Sequence, residues 1–204
     1  MNYTKPMPIK KGAIHIGGHF GEERSWYRNN GFKPVIWIEP DPNSYQILLE
    51  NIKDFPEQSA YNVGIYHKAG KLPLHISSNE SMSSSILNFK HHTDFFPEIT
   101  MVNDIMVDLV RMDEFVKTNN ININDYNLLN VDVQGVELHV LRSFGDLLKG
   151  FDYIFVEVNE IETYEHCTFM IDLDMYLNNY NFTRTHTEMQ FTKSGDAVYT
   201  KKHV

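Results

Sequence analysis

Two short segments about a hundred residues apart constrain this chain more than anything else in it. The first, Ile14-His15-Ile16-Gly17-Gly18-His19-Phe20-Gly21, runs on to Trp37-Ile38-Glu39-Pro40-Asp41. The second is Asn130-Val131-Asp132-Val133-Gln134-Gly135-Val136-Glu137. Each is a short apolar run that breaks at glycine and reaches an acid, the pattern of a buried strand opening into a ligand site at a sheet edge. Together they put a nucleotide-like cofactor across the top of a parallel sheet, with an acidic cluster beside it.

The periodicity between them supports that topology. Residues 13–16 read as a buried strand, followed by a helix from about residue 20 to 30 with Gly31 as its stop. Residues 35–38 read as a second strand. Asp41 or Asn43 then caps a helix whose Tyr45, Leu48, Leu49 and Ile52 share one face. Residues 60–63 suggest a third strand, and 74–77 and 105–110 further ones. Residues 127–131 read as a central strand leading into a helix with Val136, Val140, Leu141, Phe144, Leu147 and Leu148 on one face. A strand at 153–156, a helix near 169–178 and strands at 182–186 and 197–200, joined by a turn at Ser194-Gly195-Asp196, complete the series. Alternating strands and helices with short connections mean parallel pairing. The expected fold is α/β: a Rossmann-like, doubly wound sheet of about seven strands with an antiparallel C-terminal hairpin strand. It reads as one domain over residues 1–204. Residues 79–104 are too long for a plain connection and are expected to form a lid or substrate-binding insertion.

At 204 residues the chain can bury a full core without staples, and its only cysteine, Cys167, reads as a small buried apolar residue. Eighteen basic against twenty-seven acidic residues give a net charge of −9, without a basic cluster, which disfavours long nucleic acid as a partner. Residues 1–11 lack the apolar core of a signal peptide, and the longest apolar run, residues 35–38, is too short to cross a bilayer. The expected setting is cytoplasmic, with no membrane association.

Glycine lets a ligand approach the backbone closely, and a strand-to-helix turn offers backbone N–H groups. Glu39, at the tip of the second strand, is placed to accept hydrogen bonds from two ribose hydroxyls. This pair alone specifies an adenosine-containing cofactor. In a dinucleotide fingerprint aligned on Gly18 and Gly21, Ile16 stands where the first glycine belongs, which argues against pyrophosphate binding and a nicotinamide oxidoreductase.

From about residue 12 to 160 the chain resembles the FkbM-type family of S-adenosylmethionine-dependent methyltransferases. A first motif like D-x-G-a-n-x-G is matched at His15, Gly17, Gly18, His19 and Gly21. A second, E-P-d-p with a later leucine, is matched at Glu39, Pro40, Asp41, Pro42 and Leu48 or Leu49. The block K-i-D-v-E-G-x-E-x-x-v-L-r-G is matched at Asp132, Val133, Gly135, Glu137, Val140, Leu141 and Arg142. His15 stands in place of a usual aspartate, Asn130 of a lysine and Gln134 of a glutamate. The resemblance implies the class I methyltransferase fold and S-adenosylmethionine as cofactor. It implies a cofactor site along His15, Gly17, Gly18, His19, Phe20, Gly21, Glu39, Pro40, Asn62, Val63, Ser84 and Asp132.

Asp132, at the carboxyl end of a central strand, is expected to position the methionine moiety or the acceptor. Glu137 is the candidate for acceptor binding or as base, with helix capping the plainer alternative; Asp132 and Glu137 are the catalytic candidates. Gln134, Glu137, Glu157 and Asn159 are expected to face the acceptor. Asp132, Glu157, Asn159 and Glu160 could together supply oxygen ligands for Mg²⁺, though solvated or substrate-facing carboxylates are the commoner outcome, and no metal site is assigned. The expected reaction is O-methylation of a sugar, glycan precursor or other small polar metabolite. The alternatives are a nucleic-acid or cap 2′-hydroxyl methyltransferase and a non-catalytic cofactor-binding relative.

Overall fold

The computed structural model describes Met7 and residues 9–202; residues 1–6 and Pro8 of the lead-in, and 203–204, lie outside the described residues. The elements run β1 (Gly12–Ile16), α1 (Arg24–Asn29), β2 (Val35–Ile38), α2 (Pro42–Ile52), β3 (Gln58–Tyr61), β4 (Gly64–Ile65), β5 (Gly70–Ser77), α3 (His92–Phe95), β6 (Met101–Val110), α4 (Met112–Thr118), β7 (Tyr126–Val131), α5 (Glu137–Phe144), β8 (Tyr153–Asn159), α6 (Met170–Asn178), β9 (Phe182–Met189) and β10 (Ser194–Lys201).

Seven strands form the main sheet in the order β3-β2-β1-β7-β8-β10-β9. The first five are parallel, and β10 enters antiparallel between β8 and β9. Alternation along the strands feeds two cores. Ile14, Ile16, Ile36, Ile38, Leu129, Val131, Ile154 and Val156 meet Phe115 of α4, Leu141 and Phe144 of α5, and Leu173 of α6 on one face. Ala13, Val35, Trp37, Leu128, Tyr153 and Phe155 meet Tyr27 of α1 and Leu48 and Ile52 of α2 on the other. A sheet covered on both faces explains why these strands read as unbroken apolar runs.

Two polar residues lie in this second layer of side chains, His15 and Asn130, both buried and paired in register across β1 and β7. The cap of α2 is Asp41, whose carboxylate accepts from the N–H groups of Asn43 and Ser44.

Several expectations are corrected. The helix expected from residue 20 begins only at Arg24, because Gly17, His19 and Gly21 all hold positive φ and keep the chain in turns. Leu49 of α2 faces outward, and Ser44 takes its place on the buried face with Leu48 and Ile52. The strands around 74–77 and 105–110 do not join the main sheet; they pair in a separate three-stranded sheet of order β4-β6-β5. Residues 101–104 of the expected insertion belong to β6. The C-terminal hairpin turns at residues 190–193, while Ser194-Gly195-Asp196 lie within β10. Helix α4 fills a stretch for which no helix is expected; its Met112, Phe115 and Val116 form one buried face. Among the described residues no helix is long and apolar enough to cross a membrane.

Candidate active site

A cavity of about 280 Å³ opens at the carboxyl ends of β1, β2 and β7, close to the lower end of the ~300–1,000 Å³ typical of small-molecule sites. Its floor is the glycine turn, one wall is Glu39, Pro40 and Asp41, and the other wall comes from the small sheet. Gly64, Ile65, Leu74, Val107 and Leu109 supply an apolar slot there, closed above by Ser81, Met82, Ser84, Ser85 and Ile86. Asp132, Val133 and Gln134 form the end at β7.

The turn works differently from a phosphate cradle. The N–H groups of Gly17 and Gly18 both donate to the Ile38 carbonyl at 3.0 Å, and that of Gly21 donates to Gly18. The His19 N–H donates to Glu39 Oε2 at 2.8 Å. These donors are therefore engaged by β2 and by the turn itself, and the turn contributes shape. Gly17 is required for that shape: its φ is +84°, and a Cβ there would stand 1.6 Å from the Asp132 carbonyl oxygen.

Glu39 is buried and held from both sides, Oε2 by the His19 N–H and Oε1 by the Asp41 N–H at 2.8 Å. Burial outweighs these bonds and pushes its pKa up to about 7. Two lone-pair positions remain for a ligand's hydroxyls. Asn62, expected in the cofactor site, instead ties strand tips together by donating to the carbonyls of Glu39 and Pro40. Asn62, Val63, Phe20 and Gly21 do not line the cavity; Gly64, Ile65 and Tyr66 stand where the third strand's tip was expected to contribute. Ser84 lines the cavity, with its hydroxyl accepting from the Ser77 N–H.

At the other end, Gln134 sits at φ +55° between two carboxylates. Its amide donates to Asp132 Oδ1 at 2.7 Å and to Glu157 Oε2 at 3.1 Å, and its carbonyl accepts from the Tyr164 hydroxyl at 2.7 Å. Asp132 is open to the cavity yet crowded by protein on its other sides. That desolvation, partly countered by Gln134 and reinforced by the Asp196 and Glu23 charges, raises its pKa. Glu157 is raised by burial and by the charges of Asp132, Glu137 and Asp196, and Asp196 by burial first.

Glu137 and Asn159 lie elsewhere. Glu137 is fully buried below the turn, where Oε1 accepts from the Gly135 N–H at 2.8 Å and Oε2 has no partner among the described residues. Burial raises its pKa. Asn159 is buried and accepts from the Thr163 hydroxyl. Neither lines the cavity, and Glu157 is reached only through Gln134. Glu160 points outward toward Lys193, 3.8 Å away. Among the described residues, no three His, Cys, Asp or Glu side chains converge as ligands, so the oxygen set suggested for Mg²⁺ does not assemble.

The sequence profile described as "Methyltransferase FkbM domain" matches residues 15–183, which span both ends of this cavity. The chain belongs to the FkbM methyltransferase family. That makes it an S-adenosylmethionine-dependent methyltransferase domain. One relative, named 2-O-methyltransferase NoeI, from Sinorhizobium fredii, is 25% identical over 168 residues, covering 79% of this chain and 67% of the relative. Among solved structures, M. capricolum TrmK in complex with S-adenosyl-homocysteine matches with a TM-score of 0.55 at 11% identity over 95% of this chain. Magnesium protoporphyrin IX methyltransferase (ChlM) from Synechocystis PCC 6803, with bound SAM, matches with a TM-score of 0.53 at 8% identity over 95% of this chain. At such identities the likeness is one of fold. The chain spans 62% of the TrmK structure and 71% of the ChlM structure.

Against the FkbM-type pattern, two of the three departures are neighbours. His15 and Asn130 face each other: Asn130 Nδ2 lies 3.4 Å from His15 Nδ1, and both meet the Tyr27 hydroxyl at 3.1 Å. His15 also stacks on Trp37 at 4.6 Å, and burial lowers its pKa, which keeps the ring neutral. Where the FkbM-type pattern has an aspartate and a lysine, this chain sets a neutral pair in contact. The third departure, Gln134, supplies the donor that a glutamate would lack. The sequence also gives little sign of Tyr27, Tyr164 and Asp196 at this site; the two tyrosines arrive from distant elements through their hydroxyl hydrogen bonds and Asp196 through its register pairing with Glu157.

Proposed function

We propose that this domain transfers the methyl group of S-adenosylmethionine to a hydroxyl of a sugar, glycan precursor or other small polar metabolite. The observation that carries the reading is Glu39, fixed by two main-chain N–H groups beside a turn whose own donors are already engaged. Such a site suits ribose hydroxyls next to a linkage that carries no negative charge and offers a pyrophosphate nothing. When bound, the cofactor supplies an electrophilic methyl on a sulfonium. In this reading Glu39 holds the ribose and the slot around Ile65 and Leu109 takes the adenine. Asp132 orients the reacting end and accepts the hydroxyl proton. The raised pKa of Asp132, about 6, suits a base working near neutrality.

Oxygen as the acceptor atom is supported by the name of the relative, 2-O-methyltransferase NoeI. A small, uncharged acceptor is supported by the acids at the strand tips and by the engagement of nearby cations: Lys90 pairs with Glu162, Lys193 approaches Glu160, and Arg24 donates to the Gly21 carbonyl. A nucleic-acid acceptor would need free cations at this edge.

The test is calorimetric titration with S-adenosylmethionine, S-adenosylhomocysteine and NAD, repeated on Glu39→Ala and Glu39→Gln. The adenosyl ligands should bind and NAD should not. The alanine variant should bind at least roughly tenfold more weakly, since a hydrogen bond to a charged group contributes about 1.5–3 kcal/mol. A folded wild-type protein that binds neither adenosyl ligand would overturn the reading.

A further inference from the structure

His19 occupies the floor of the cavity in a left-handed conformation, φ +42°, with its ring stacked on Phe20 at 3.7 Å. Both of its ring nitrogens are engaged. Nδ1 lies 2.7 Å from Glu22 Oε1, and Nε2 lies 2.8 Å from the carbonyl oxygen of Glu80. A carbonyl only accepts, and so does an ionised carboxylate. A neutral imidazole has one N–H and can serve only one of these partners. Two contacts of this length therefore require the imidazolium, with an N–H on each nitrogen.

The second partner gives the charge a purpose. Glu80 and Ser81 form a tight left-handed turn, φ +58° and +68°, at the start of the strap that covers the cavity. The strap residues Ser81, Met82, Ser84, Ser85 and Ile86 all line it. Only one other side-chain bond ties the start of this strap to the β2 side, from the Ser81 hydroxyl to Asp41 Oδ2 at 3.3 Å, among the described residues. The His19–Glu80 bond thus joins floor to roof.

We propose that His19, as an imidazolium, is the positioning residue that holds the strap at residues 79–86 closed over the cavity, so that closure takes up a proton. The charged groups facing the ring share one sign: Glu22 on its own turn, Glu39 at the tip of β2 and Asp132 at the tip of β7, with Asp41 at the cap of α2 beside the strap. Burial of the ring opposes its charge, but the Glu22 bond, the Glu80 carbonyl and the Glu22 and Glu39 charges outweigh it and raise the pKa above the ordinary value. A raised pKa in the closed form means that the latch is present at low pH and is lost as pH rises through that pKa. Its consequence for cofactor affinity rests on the proposed function; the latch itself needs no ligand.

The first measurement is the ¹⁵N titration of the histidine rings in the ligand-free protein, with His19 assigned by its loss in His19→Gln. His19 should titrate above 6.5, with both nitrogens protonated at pH 6. The second is hydrogen exchange of the strap amides at pH 6.5 and 8.5, corrected for intrinsic rates. Wild-type protection should fall with pH, by at most about tenfold per pH unit above the pKa. In His19→Gln, whose amide has no proton to lose, only the smaller fall shared with the rest of the fold should remain. A His19 that titrates at or below 6.5, or an equal pH dependence in the variant, would overturn the proposal. Titration with S-adenosylhomocysteine at the same two pH values adds the functional arm. Glu39 titrates in this window too, so the quantity read is the excess loss of affinity in wild type over His19→Gln. Failure of S-adenosylhomocysteine to bind would remove the proposed function and leave the latch to stand or fall on the first two measurements.

Discussion

At the tips of β1 and β2 the acids are held by main chain. Glu39 is bonded by the N–H groups of His19 and Asp41, and Asp41 by those of Asn43 and Ser44 and by the Ser44 hydroxyl. At the tips of β7, β8 and β10 the acids are held by one another's neighbours. Asp132 and Glu157 share the single amide of Gln134, and Asp196 stands opposite Glu157 across the strand pair. The first arrangement keeps its shape whatever the protonation state, because backbone donors do not titrate and cannot turn away. The second depends on which carboxyl carries a proton. A cofactor that is the same in every turnover suits the first, and an acceptor that arrives with a proton to lose suits the second.

The sharpest break in this comparison lies at the seam between the two halves, where His15 faces Asn130. Changing His15→Asp alone would place a carboxylate among Tyr27, Trp37 and Asn130 with no cation, at a loss of about 3–5 kcal/mol in urea unfolding. Adding Asn130→Lys should recover most of it. A double variant no more stable than the single would show that the two departures are unrelated.

A smaller effect is expected from Gln134→Glu, which restores the family's usual residue. It removes the one donor shared by Asp132 and Glu157 among the described residues, and at pH 8 it should cost about 1–3 kcal/mol, several degrees in melting temperature. At pH 6, where a shared proton can replace the donor, most of that loss should vanish. Affinity for S-adenosylhomocysteine should fall far less than in Glu39→Ala, since the ribose end is untouched; an equal loss would mean that the two halves are coupled.

The smallest effect is the pH dependence of the wild-type protein. Glu39, with a folded pKa of about 7 against an ordinary 4.5, binds more protons folded than unfolded. Stability therefore falls as pH rises from 6.5 and levels off beyond 8, by on the order of 1 kcal/mol for this group. Glu137 and Glu157, also raised by burial, act in the same direction. The buried His15 and His92 and the half-buried His139, all lowered, act the other way but below pH 6.5. Calorimetric melting at pH 6.5 and 8.5 in one ionic strength reads the sign. A melting point that rises with pH would mean that these carboxyls are ionised and satisfied by partners.

What could be read from the chain divides along similar lines. β1, β2, β7 and β8 were legible because strands buried on both faces leave a continuous apolar run, and Glu39 was legible because it ends one of them. The use of the glycine-turn donors was not, since it depends on the Ile38 carbonyl of a neighbouring strand. Gly195 was misread for an instructive reason. Beside Ser194 and Asp196 it resembles a turn, but it serves close strand pairing: a Cβ there would stand 2.1 Å from the Glu188 carbonyl oxygen. The same holds for Glu137, whose place in the motif suggested chemistry. Its carboxylate instead braces the Gly135 turn from inside.

The strand order carries one more consequence, for the chain while it is being made. β8 finds its second neighbour in β10, about 35 residues further along, and β9, synthesised in between, must wait on the outside. A nascent chain that has emerged as far as Asn159 carries Tyr153–Asn159 as a raw sheet edge, apolar along most of its length. Until β10 slides into that gap, an adhesive edge stays open that later lies inside the sheet.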